Sequence, residues 1–172
     1  MRYLAILSTI LFGSILSDSH AQGDLVDYRK LFHTIENRDH IQTIIDLPIT
    51  ESNDSKRNII QAYKAVCIAR LAEYAYQPIS SYRYFSKGKN QLEDSIKEDF
   101  NIEIIYLRIL VQTSVPRFLN YNDKIDSDLN YFKNNLSDSN IPELTKQLML
   151  NSLMKSDLGE NHKNQFKDIV LN

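Results

Sequence analysis

The sequence has few of the residues that interrupt or cross-link a chain: one cysteine, four glycines, four prolines and no tryptophan in 172 residues. A single cysteine, Cys67, excludes an intramolecular disulfide. The glycines and prolines form no rich stretch, which excludes a flexible linker between two domains. The 20 lysines and arginines stand against 22 acidic residues. The resulting net charge of -2 gives no general attraction to nucleic acid or anionic lipid.

The first 21 residues combine the features of an export signal. Arg2 supplies a positive start, residues 4–16 are mostly apolar, and Ser19-His20-Ala21 ends on small residues at the spacing that a signal peptidase recognises. The apolar segment is shorter than the roughly 20 residues of a membrane-spanning helix, and no cysteine beside the cleavage point could carry a lipid. We therefore expect cleavage before Gln22 and a periplasmic or secreted product without stable membrane insertion.

Residues 22–172 show the apolar spacing of helices throughout. Apolar side chains recur at intervals of three and four, without sustained alternation, which predicts a single all-α domain. Boundary signals include a capping box that starts at Asp39, a helix stop at Pro78 and a left-handed residue at Gly159. The short connections between paired helices predict stacked antiparallel hairpins.

The run from Ile102 to Val111 is the most apolar segment of this domain. It is interrupted only by Glu103 and Arg108, which is typical of a central helix surrounded by other helices. A guanidinium keeps its charge, so Arg108 needs a partner if it is buried. The sequence leaves two interpretations open: Arg108 pairs with helix-end carbonyls or with a carboxylate (Asp94, Asp99 or Glu73), or it forms the polar floor of a binding groove.

Two groups of residues resemble a tetratricopeptide arrangement. One resembles the junction between two repeats, with an Asp-x-Asn turn between helices: Tyr84-Phe85-x-x-Gly88-Lys89-x-x-Leu92-Glu93-x-x-Ile96-x-x-Asp99-x-Asn101-x-Glu103-Ile104. The other is similar to small exported tetratricopeptide-like proteins of Bacteroidetes-type bacteria: Ala62-Tyr63-Lys64-Ala65, Pro78, Gly88-Lys89 and Ile104-x-x-Leu107-Arg108-x-x-x-Gln112-x-x-x-Pro116-x-Phe118-Leu119-x-Tyr121. The resemblance spans about residues 61–136. It implies a right-handed array of stacked helical hairpins and an exported protein, with no established activity.

Several residues could carry chemistry, and each also has a structural interpretation. His33, Glu36 and His40 have the spacing of metal ligands on one helix, but the cap at Asp39 would place His40 on a different helix. Cys67 falls on an apolar stripe, where it is typical of a buried core residue. The sequence Lys87-Gly88-Lys89 could contact phosphate, whereas a glycine within a helix more often permits close packing. We expect no metal and no cofactor.

These features favour an interaction module that binds a protein or peptide in the cell envelope, in a groove between stacked hairpins. The predicted groove residues are Arg108, Gln112, Tyr121 and Lys89, with Tyr82, Tyr84 and Tyr106 as further candidates to line it. One alternative is a carrier of a small apolar or anionic ligand, with Arg108 as the anchor of the anionic group. Another is an enzyme of unrecognised type. The sequence has neither a nucleophile elbow nor a zinc-protease signature, so we expect no enzyme and assign no catalytic residue.

Overall fold

The computed structural model describes residues 23–170, with side chains at all of these positions except 165 and 167–170. The predicted leader and its cleavage point lie outside the described residues. Within them the protein contains helices and no strand, which confirms the predicted all-α fold. The α-helices are α1 (Leu25–His33), α2 (Arg38–Asp46), α3 (Asp54–Arg70), α4 (Pro78–Glu98), α5 (Ile102–Ser114), α6 (Ile125–Asn135), α7 (Glu143–Lys155) and α8 (Glu160–Val170).

Side-chain caps fix where several helices begin. The Asp24 carboxylate accepts a hydrogen bond from the Asp27 amide at the start of α1, and the Asn53 side chain accepts one from the Lys56 amide at the start of α3. The predicted cap at Asp39 is wrong. The Asn37 side chain caps α2 instead by accepting from the His40 amide, because an asparagine in extended backbone reaches the third residue of the helix equally well.

Helices α3 and α4 form an antiparallel hairpin. The Asn58 amide donates to the Ser95 carbonyl over 2.8 Å at one end of the pair. Farther along, Gly88 lies so close to α3 that a Cβ there would overlap the backbone of Ala65 and Ala69. Gly88 therefore permits close helix packing, as the structural interpretation predicted.

The connection between α3 and α4 differs from the prediction. Helix α3 tightens into a 3₁₀ turn over Leu71–Tyr74. Pro78 does not stop the preceding helix; it is the first residue of α4, where a missing amide hydrogen costs nothing and the fixed φ angle suits a helix.

Helix α5 occupies the centre of the fold, as its apolar sequence predicts, and is buried on nearly every side. Glu103 lies on one face and accepts hydrogen bonds from Arg29 of α1 and from the Tyr63 hydroxyl of α3. Arg108 lies on the other face, towards α6. Since Tyr106 packs against Phe132 nearer the other end of α6, α5 and α6 are also antiparallel.

The C-terminal helices complete the core. Phe166 of α8 is fully buried and its ring meets that of Phe132 edge to face, so α8 docks on α6. Gly159 is not the left-handed residue that the sequence suggested. The described positive φ angles belong to Gly23 and Asn120 only, and Gly159 lies directly before α8 rather than closing α7.

The stacking of the helical hairpins remains a prediction. Antiparallel pairs are present, but tetratricopeptide-like stacking into a right-handed array is not established by these contacts. Among residues 23–170, no helix combines the length and the apolar character needed to cross a bilayer.

Cys67 is fully buried in α3, and burial raises the pKa of its thiol to about 12, as expected of a core residue.

Candidate functional site

The four predicted groove residues come together in one small polar cleft between α4, α5 and the segment that joins α5 to α6. The cleft has a volume of about 230 Å³. Its lining residues are Lys89, Glu93, Arg108, Gln112, Asn120, Tyr121, Asp123 and Lys124. We call this arrangement the polar cleft.

Arg108 and Gln112 stand one turn apart on α5 and form the floor of the polar cleft. Both donate to Asp128 of α6, which does not itself line the cleft. Arg108 donates from Nε and Nη2 to the two oxygens of Asp128, over 2.8 and 2.6 Å. Gln112 Nε2 donates to the same carboxylate over 2.7 Å. All three side chains are buried. The prediction that Arg108 pairs with Asp94, Asp99 or Glu73 is therefore wrong.

Glu93 of α4 contacts Arg108 as well and links it to Tyr121. Its Oε2 lies 3.3 Å from Arg108 Nη1, and its Oε1 accepts from the Tyr121 hydroxyl over 2.6 Å. Burial raises the pKa of that phenol well above its usual range, so Tyr121 remains a neutral donor. The ammonium of Lys89 lies 5.3 Å from the centre of the Tyr121 ring, within the range of a cation–π contact.

The electrostatics of the floor favour a structural role for Arg108. Burial lowers the pKa of the guanidinium, but its hydrogen bonds and charge interaction with Asp128, aided by Glu93, raise the pKa above its ordinary value overall. Arg108 is thus a permanent cation that is already matched by carboxylates. A ligand carboxylate would compete with two anions for it, which weakens the anion-anchor interpretation.

A second and larger concavity lies elsewhere, at the end of the fold where α1, α3, α5 and α7 terminate and α4 begins. We call it the apolar groove. Its volume is about 870 Å³. The residues that line it are mostly apolar and include Phe32, Ile35, Val66, Ala69, Ala72, Phe85, Leu110 and Val111.

Aromatic side chains lie exposed around the apolar groove. Tyr76 is 100% exposed, Phe118 84% and Tyr82 60%, and all three line it. Arg70 and Lys155 also line it, each in the last turn of a helix. A basic residue in that position compensates the helix dipole, so these two charges have a local structural reason.

His33 and Ser152 meet at the wall of the apolar groove, with Nδ1 and Oγ 3.1 Å apart. Burial lowers the pKa of His33 to about 4, which keeps the ring neutral near pH 7. The pair looks like a nucleophile and its base, but Ser152 lies inside α7, where the helix uses its backbone amide. Because no backbone donors surround the hydroxyl to hold an oxyanion, this geometry does not support acyl transfer.

The remaining sequence candidates are dispersed or buried. His33 ends α1 and His40 lies on α2, so they do not share a helix face with Glu36. Within the described residues, no group of three or more histidine, cysteine or acidic side chains could hold a metal ion. Tyr106, a candidate to line a groove with its hydroxyl outward, is fully buried, because α5 is enclosed on the side where Tyr106 lies.

Sequence reasoning identified four of the eight residues that line the polar cleft. Of its groove candidates, Tyr82 lines the apolar groove instead, and the apolar groove itself was not predicted. Glu93 follows Lys89 by one turn, and Asp128 precedes the core residue Phe132 by one turn, so an acid beside an apolar stripe was a usable signal for both. The apolar groove gave no such signal, because its wall consists of the ends of several helices.

Comparisons with models of known families, with curated proteins and with solved structures found no match.

Proposed function

We propose that the protein is an exported helical interaction module that binds an apolar segment of a partner protein in the apolar groove. The observation that carries this proposal is the set of exposed aromatic rings, Tyr76, Tyr82 and Phe118, around a concavity with a mostly apolar lining. Exposed apolar surface of this kind marks sites of association. Aromatic side chains also contribute much of the binding energy in protein interfaces.

The exposed aromatic rings around the apolar groove favour a macromolecular partner over a small ligand. A small molecule within the concavity would leave the fully exposed ring of Tyr76 in water, whereas a protein segment laid across the groove could cover it. Such a segment would present bulky aliphatic or aromatic side chains, since the lining is mostly apolar, its two cations lie at helix ends, and its one acidic residue, Glu73, lies 3.9 Å from Arg70.

A carrier of a small apolar ligand is the second candidate, and the volume of the groove favours it. About 870 Å³ falls within the range of pockets that hold small molecules. Arg108 does not line the apolar groove, so it cannot anchor a ligand held there. The carrier would therefore take an uncharged apolar molecule.

Capture experiments with three forms of the processed protein separate these functions. Phe118→Ser removes an exposed ring from the groove, and Leu144→Ser is the matched control, because Leu144 is 69% exposed and outside the groove. Each form is cross-linked in the native envelope fraction, and bound proteins and extractable apolar molecules are identified by mass spectrometry. We expect one protein to be retained by the wild type and by Leu144→Ser and lost with Phe118→Ser. Equal capture of the protein by all three forms would contradict binding in the apolar groove. A bound small molecule in place of a protein would support the carrier function.

The exported location is supported by the leader-like sequence of residues 1–21. N-terminal sequencing of the protein recovered from the envelope and medium tests it, with Gln22 expected as the first residue. Recovery from the cytosol with Met1 in place would contradict export.

A further inference from the structure

We propose that the partner held in the apolar groove is a second copy of this chain, in a two-fold dimer in which Phe118 of each copy enters the groove of the other. The inference rests on the proposed function, because it names the partner for the same groove. Three properties of the surface around the groove carry it: the shape, the signs of the charges on its two sides, and the exposed apolar area.

The apolar groove consists of a floor and two walls. Helix α3 packs against both α1 and α4, and α5 packs against both α4 and α7, so α3 and α5 form the floor between the walls. One wall, which we call the α1–α7 wall, comprises the lining residues within segments 32–35 and 152–156. The other, which we call the aromatic wall, comprises the lining residues within segments 76–85 and 116–119.

The aromatic wall carries a projecting ring beside the concavity. Phe118 is 84% exposed and lies in a short 3₁₀ turn, Arg117–Leu119. The Phe85 ring of α4 packs edge to face against that of Tyr121, just beyond this turn, and so holds the turn beside α4. A surface with a projecting ring next to an apolar concavity is complementary to itself. In a two-fold dimer, Phe118 of each copy can therefore fill the groove of the other.

The two walls carry charges of opposite sign. The segments of the aromatic wall contain Arg83 and Arg117 and no acidic residue. The α1–α7 wall contains one basic residue, Lys155, and is followed directly in the chain by Glu36 and Asp157. The two arginines and the two acids are exposed, and none forms a salt bridge with another described residue. Insertion of each aromatic wall into the opposite groove brings its arginines to the acids of the other copy.

The exposed apolar area approaches what a stable interface requires. Tyr76, Tyr82 and Phe118 are 100%, 60% and 84% exposed. At about 200 Å² for one aromatic side chain, the three rings offer about 500 Å² together. Ile79 is 67% exposed and lies one turn before Tyr82 on α4, so it extends the same surface. A specific complex buries about 800 Å² of each partner, and the lining of the groove can supply the remainder.

Charge elsewhere on the molecule does not oppose the dimer. Arg70 and Glu73 both line the groove, and they lie 3.9 Å apart and offset each other. The net charge of the whole sequence is -2, so the general repulsion between two copies is small. A second copy thus supplies the projecting ring and both signs of charge that this surface requires.

Sedimentation velocity of the processed protein, at concentrations up to about 0.3 mM, tests this proposal. We expect an equilibrium between monomer and dimer with a Kd in the micromolar range. Phe118→Ser should weaken the dimer about tenfold or more. Leu144→Ser should leave it unchanged, because Leu144 is 69% exposed and outside the groove. A wild type that stays monomeric overturns the proposal, as does a dimer of equal strength in Phe118→Ser.

An exchange of charges between the walls tests how the two copies are oriented. Arg83→Glu with Arg117→Glu makes both walls acidic, and Glu36→Lys with Asp157→Lys makes both walls basic. Each double variant alone should dimerise about tenfold more weakly than the wild type or worse, because like charges then meet. An equimolar mixture should recover the wild-type affinity, which also shows that both variants fold. A mixture without recovery overturns the proposal.

Failure of the dimer is distinguishable from failure of the proposed function. A monomeric wild type that captures another protein, and loses it with Phe118→Ser, overturns the dimer and leaves the interaction module in place. Equal capture by the wild type and Phe118→Ser contradicts binding in the groove itself. A dimer that depends on Phe118 and on the opposite charges of the walls supports the proposal, whatever else is captured.

Discussion

The two faces of α5 each bury a charged residue, and they do so differently. Glu103 is enclosed: both of its oxygens accept from Arg29, and one also accepts from Tyr63. Each of the three nitrogens of Arg108 also donates to a carboxylate, but Arg108 lines an open cleft, and its neighbour Gln112 has a buried oxygen that accepts no described hydrogen bond. Burial of a charge is therefore common to both faces. What distinguishes the open face is that its ion pair includes Glu93, a partly exposed carboxylate that lines a cleft.

The largest expected effect comes from removing the cation on the open face. Arg108→Met leaves Asp128 buried, with Glu93 nearby, without their positive partner, and we expect a loss of about 3 to 5 kcal/mol in the free energy of unfolding. Urea titration followed by circular dichroism measures it, with the exposed Arg117→Met as control. A loss no greater than that of the control would show that Asp128 and Glu93 do not need Arg108.

A smaller effect is expected on the enclosed face. Glu103→Gln keeps one carbonyl oxygen for Arg29 and Tyr63, and the Arg29 side chain is 14% exposed and can reach water. We expect a loss of about 2 kcal/mol in the free energy of unfolding. The exposed Glu98→Gln is the control in the same titration. If Glu103→Gln costs more than Arg108→Met, the enclosed network is the stronger of the two.

The pH dependence of stability tests whether His33, at the wall of the apolar groove, stays neutral in the folded protein. The folded-state pKa of His33 is lowered to about 4 from 6.5 by burial, against an opposing effect of Glu103. As the pH falls from about 6.5 towards about 4, the unfolded chain gains a proton that the folded chain does not, so stability falls by up to about 1.4 kcal/mol per pH unit.

His33→Gln should flatten this dependence, and the exposed His40→Gln should retain it. Thermal melts at several pH values between these limits provide the measurement. Parallel curves for the wild type and both variants would mean that His33 is protonated equally well in the folded protein.

The smallest effect is expected at Lys124, an exposed residue that lines the polar cleft. Lys124→Ser removes an exposed side chain without a described salt bridge, and the free energy of unfolding should change by no more than about 0.5 kcal/mol. The same urea titration measures it. A larger loss would mean that Lys124 supports the fold through a contact beyond those described.

Local sequence signals predicted the helices and the position of Arg108 well, because both depend on apolar spacing along one segment. They failed where several side chains compete for one role. Asn37 and Asp39 both suit a cap, and Pro78 suits either the end of one helix or the start of the next.

Contacts between distant segments were the other limit. Arg108 and Asp128 are separated by 20 positions, and nothing in either segment specifies how α6 is rotated against α5. The apolar groove depends on where several helices end in space, so its lining residues share no spacing in the sequence.

The complete burial of Cys67 turns the only thiol of the chain into a reporter of unfolding. An alkylating reagent attacks the thiolate, and Cys67 is neither accessible nor readily ionised, with a pKa of about 12. Modification must therefore await an opening of the helical core. The rate of labelling under native conditions then counts rare openings at one position, and it can rank every variant above without denaturant.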